Sequence, residues 1–178
     1  MSRHQAAESP VSPVRTKLGE SMPKTRTCNM RLRSGDVPIG ELDLDPIDFG
    51  FLTAVRFFCL AFAEPEQQAW TTAFLASGSF FPDPGSADAM RRTLAVIHEV
   101  RTARKSVFRF SNPRCAGCSG VATHDERHLV QLIQASRKMK AASALPSAMF
   151  LCEGNDSTRL KASAEDFAQL FTYSMERD

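Results

Sequence analysis

The run Phe49 to Ala63 constrains this chain most: fifteen residues, almost all apolar, with Arg56 in the middle. A helix spanning a bilayer needs about 20 apolar residues, so this run is too short and too charged at its centre to serve as an anchor. It also follows Asp43, Asp45 and Asp48, whereas a secretory peptide is preceded by cations. It therefore predicts a buried helix, capped by Asp48 and running to Phe62. Phe51, Leu52, Val55, Phe58, Cys59 and Phe62 fall on one face at helical spacing. Around so apolar a helix, other amphipathic elements must gather, and the remaining periodicity supplies them.

Pro65 suits a first helical turn, and a second helix is expected over 67–77, ended by Gly78. Trp70, Ala73, Phe74 and Ser77 lie along one side of it. The loop beginning Phe80-Phe81-Pro82 leads to a third helix, capped by Ser86, with Met90, Leu94, Ile97 and Val100 inward and an end near Lys105. Residues 106–111 alternate and form the one extended piece, with Phe108 and Phe110 on a shared face. Thr123 and Glu126 make a capping box for a fourth helix, whose stripe is Leu129, Leu132, Ile133, Ser136 and Met139. A fifth covers 141–153, with Pro146 as an alternative start. A sixth, from Ser157 or Ala162 to Ser174, turns Leu160, Ala164, Phe167, Leu170 and Phe171 inward. The fold class is all-α: one helical domain over 45–178, of about six helices.

Residues 1–44 carry few aliphatics and no periodicity, so they read as a disordered basic and polar tail. Cys28 lies in it, and Met22 or Met30 would serve as later translation starts. Five cysteines at uneven spacing in 178 residues argue against a disulfide framework and for a reducing, cytoplasmic setting.

Within that helical frame, Cys115-x2-Cys118-x5-His124-x3-His128 brings four soft-metal ligands into one short stretch. Gly117 and Gly120 allow a tight turn, and histidines at i and i+4 share a helix face. Near a helix N-terminus the neutral imidazole, which is the metal-binding form, is favoured. The pattern predicts a structural zinc clamp joining a loop to a helix, although its spacer is shorter than that of a zinc finger. Glu126 lies between the histidines, but His-x-Glu-x-His is not the spacing of a zinc protease, and two thiolates imply a closed site. The rival readings are a redox pair at Cys115 and Cys118, which a βαβ context would support and this chain lacks, and unligated thiols with surface histidines.

The net charge is only +2, yet residues 88–140 hold eleven Lys/Arg against four Asp/Glu. Arg101, Arg104, Lys105, Arg109 and Arg114 form either one anion-facing surface or a set of internal partners for the acidic flanks. No phosphate loop, nucleophile elbow or carboxylate pair is present. The functional expectation is a non-enzymatic, zinc-stabilised interaction or regulatory protein, binding a protein or nucleic acid through residues 101–114, with no membrane role. A thiol redox protein or sensor is the alternative.

Overall fold

The computed structural model describes residues 33–82 and 85–172. Residues 1–32 of the expected tail, with Met22, Cys28 and Met30, positions 83–84 and the expected helix end at Ser174 lie outside the described residues. Among those described are seven α-helices and one two-residue ladder: β1 (Val37–Pro38), α1 (Pro46–Ala63), α2 (Ala69–Phe80), α3 (Ser86–Ala103), α4 (Ala116–Ser119), β2 (Val121–Ala122), α5 (His124–Arg137), α6 (Ala141–Leu151) and α7 (Thr158–Thr172). The all-α expectation holds.

The apolar run becomes α1, which packs on α2, α3 and α5. By length and composition α1 could cross a membrane, yet ten of its 18 residues are buried in the protein. Its cap is Asp45, not Asp48: the Asp45 carboxylate accepts from the Asp48 N–H at 2.8 Å, and Pro46 takes the first helical position. Asp48 is thereby freed to turn inward, where its carboxylate accepts from Gln134 and Arg137 of α5. Phe51 lies at the middle of the core, 4.8 Å from the Phe167 ring of α7, and Phe81 stacks on Phe171. Phe81, the residue just past the end of α2, thus plugs the core.

Several helix ends and faces depart from the sequence reading. The α2 helix continues through Gly78 to Phe80, because Gly50 of α1 leaves room for Phe80 against its backbone. Pro65 begins a separate 3-10 turn, and Gln68 adopts a left-handed conformation that re-aims the chain. Phe62, Trp70 and Phe74 are largely exposed, and Leu94 is 37% exposed; Thr93 and Val96 take its place inside. Met139 is 83% exposed with φ 54°, the left-handed stop of α5. There Lys140 N–H reaches Ala135 O and Met139 N–H reaches Ser136 O, a Schellman arrangement that ends the stripe one turn early. Pro146 is interior to α6, which starts at Ala141.

Residues 33–44, read from sequence as part of the tail, are structured. Val37 and Pro38 pair antiparallel with Ala122 and Val121, and a 3-10 turn follows at Ile39–Glu41. Backbone pairing, which needs no apolar periodicity, holds this segment. Residues 106–111 form no strand; Phe108 is buried and Phe110 packs against the core.

Candidate functional site

The region from Arg101 to His128 is organised by a buried ion pair. Arg56, in the middle of α1, donates from Nε to Glu126 Oε1 at 2.7 Å, and both side chains are almost wholly buried. The same guanidinium donates to Ser119 O at 2.7 Å and Val121 O at 2.6 Å. Glu126 accepts further from Ser111 N–H and Thr123 N–H, the latter completing the predicted capping box with Thr123 Oγ1. Beside it, Asp125 accepts from Arg109 N–H at 2.8 Å and pairs with Arg104 at 3.2 Å. The two acidic residues in the first turn of α5 therefore fix the irregular segment 109–111, where no sheet satisfies its donors. An arginine amid phenylalanines requires a buried partner. That much was readable in the sequence, but not that Glu126 is the partner.

The segment before β1 closes over α5. Asp36 accepts from Arg33 N–H, His124 N–H and the Arg109 guanidinium. Arg127 donates to Gly35 O. Gly35 has φ 89°, and a Cβ there would meet the His124 ring at 2.9 Å, so only glycine fits.

Of the four expected metal ligands, the structure brings the histidines together. His124 Nε2 and His128 Nε2 are 3.2 Å apart, and His128 Nδ1 is 3.4 Å from Ser147 Oγ. Phe150 of α6 stacks on the His128 ring at 4.0 Å. Burial, then the neighbouring His124 and Arg127, hold the His128 pKa below the usual imidazole value, against a smaller opposite pull from Asp125. The cysteines form a separate pair. Cys115 caps α4, and its Sγ accepts from Cys118 N–H at 3.4 Å. Cys118 is buried beside an open cleft of about 840 Å³ lined by Arg33, Asp36, Phe108 and Ser111.

Among the described residues no three His, Cys, Asp or Glu side chains are gathered to hold a metal. The cause lies in the spacer: Ser119 and Val121 are held by Arg56, Gly120 O accepts from Ile39 N–H, and Val121–Ala122 pairs with β1. The five residues that would fold back are committed to other partners.

The cations divide. Arg104 and Arg109 face carboxylates of their own chain. Arg101 is exposed, its guanidinium 3.9 Å over the Phe62 ring, and Arg114 is exposed with a bond to Gln67. Lys105 is exposed beside Val107, itself 84% exposed.

No family model, curated protein or solved structure matches this chain. Its function is argued from these side chains alone.

Proposed function

We propose that the chain is a non-enzymatic interaction or regulatory protein that docks a macromolecular partner, most naturally a protein with an acidic surface, on Arg101, Lys105 and Arg114. The observation that carries this reading is the division of the basic segment. Arg104 and Arg109 are spent on internal carboxylates, while Arg101 and Lys105 stand exposed beside Phe62 and Val107 and Arg114 is exposed against Gln67. Aromatic and aliphatic surface beside exposed cations is the usual composition of a contact patch. Reversing all three charges to Glu should abolish retention of a partner captured from cell extract by the unaltered chain, without changing the melting temperature. Equal retention would refute the assignment. A nucleic-acid partner would instead show affinity falling steeply with added salt in direct titration.

A structural zinc ion is part of the same proposal. Two nitrogens each about 2.0–2.1 Å from one tetrahedral ion stand little more than 3 Å apart, which the Nε2 separation of 3.2 Å already satisfies. The Cys118 N–H on Cys115 Sγ favours a thiolate. Loading all four residues would require the Arg56 hold on Ser119 and Val121 to yield. Zinc analysis of untagged protein tests this: Cys118→Ser should lower metal content and stability together, whereas Cys59→Ser should lower stability alone. Metal-free native protein would overturn it. The same N–H···S contact supports the alternative, a redox pair at Cys115 and Cys118, in which mild oxidation after chelation yields a disulfide detectable by mass.

A further inference from the structure

Where α1 ends, α3 ends and residues 105–110 cross, the surface forms an open cleft of about 310 Å³. Its walls include Cys59, Phe62, Phe108 and Phe110, and Arg101, Arg104 and Lys105 complete the lining. That size lies at the lower end of the range of about 300–1,000 Å³ typical of small-molecule sites, and an apolar lining with a few convergent polar groups is their usual composition. The Cys59 thiol, pushed up to about 12 by burial and by Glu126, stays neutral, so this wall carries no charge near pH 7.

Arg104 is the unusual member. Its side chain is 7% exposed, and Nη2 meets Asp125 and Ser106. Its Nε and Nη1 have no hydrogen-bond partner; the Glu153 carboxylate stands 3.7 Å from Nε, beyond bonding distance. Both atoms are closed off from solvent, so the guanidinium is held at a cost that a shift of its side chain towards an acceptor in the cleft would relieve. The charge balance indicates which acceptor. Arg101, Arg104 and Lys105 line the cleft with no carboxylate among its lining; Asp125 and Glu153 stand behind it against Arg104, and Arg56 and Glu126 neutralise each other. The single positive charge left over matches a monoanion better than a phosphate dianion.

We propose that this cleft binds a small amphipathic carboxylate, its head among Arg101, Arg104 and Lys105 and its alkyl or aryl tail against Phe62, Phe108 and Phe110. This goes beyond the docking reading and needs neither zinc nor a macromolecule. Arg101 is well placed to close over the head, since stacking on Phe62 fixes its guanidinium at the rim.

The test is a titration of the full chain with octanoate, compared with octan-1-ol, followed by calorimetry and by backbone amide shifts. The expected result is saturable octanoate binding, with shifts confined to residues 59–63 and 101–110. Octan-1-ol should bind at least about tenfold more weakly, because charge-assisted hydrogen bonds carry the difference. Arg101→Gln and Lys105→Gln, both at exposed side chains, should each raise Kd about tenfold. Absence of saturation, equal binding of the alcohol, or shifts centred on the exposed Trp70 and Phe74 instead would overturn the proposal. The comparison of acid with alcohol on the unaltered chain decides even if a variant folds poorly.

Discussion

Glu126 accepts four hydrogen bonds with no exposed surface: two from Arg56, one from Ser111 N–H and one from Thr123 N–H. A buried carboxylate is tolerable only when so fully supplied, because desolvating the pair costs several kcal/mol per ion. Glu126→Gln removes the charge and turns an NH2 towards groups that are all donors, leaving the Arg56 guanidinium uncompensated. Urea unfolding should show a loss of about 3–5 kcal/mol. Replacing both partners with apolar residues should cost less than the two single losses added together. The remainder would be the Ser119 and Val121 carbonyls that Arg56 also serves. A loss below about 1 kcal/mol for Glu126→Gln would mean that water reaches the pair and that it does not organise the 109–126 segment.

Between α1 and α2, the close approach at Phe80 is permitted by Gly50. A Cβ there would lie 2.5 Å from Phe80 Cβ, and Phe80 is the last residue of α2. Alanine is intrinsically the better helix former by about 1 kcal/mol, but prying apart a packed helix pair costs about 1–3 kcal/mol. Gly50→Ala should therefore lower the melting temperature, and should become stabilising once Phe80→Gly removes the Cβ that it meets. Loss of stability in both backgrounds would mean that the strain lies elsewhere. The same contact shows what was legible beforehand. The buried faces of α1, α5 and α7 were readable because burial imposes a 3.6-residue period. The end of α2 was not, because it depends on a glycine some thirty positions away. Likewise the ligand types from Cys115 to His128 are plain in the sequence, whereas the commitment of their spacer to Arg56 and β1 is a long-range matter that no spacing encodes. Residues 33–44 escaped detection for a related reason: they are held by backbone pairs and by Asp36, neither of which leaves a periodic trace.

At the scale of the whole molecule, the His124–His128 pair lies where the first described segment, α5 and α6 meet, with Gly35 behind one ring and Phe150 against both. His128 Nε2 lies 3.2 Å from His124 Nε2, and the neighbouring ring opposes a positive charge on His128. The groups that bear on His128 are His124, Arg127 and Asp125 of α5, while the α6 side chains against it, Ser147 and Phe150, are uncharged. Its folded pKa therefore lies below the unfolded value of 6.5. The sign follows from proton linkage: above 6.5 both states hold the neutral ring and nothing is lost. As pH falls through 6.5 the unfolded chain takes up the proton first, so stability declines until the folded pKa is passed and then levels off. Melting temperature should thus drop as pH falls from 7 towards the folded pKa, and His128→Gln should flatten that limb while leaving the acid limb below about pH 4 in place. Zinc held by the pair would deepen the slope, since the metal competes with the same protons. A chain whose stability is level from pH 7 to pH 5, with and without added zinc, would show that the α5–α6 seam does not depend on a neutral imidazole.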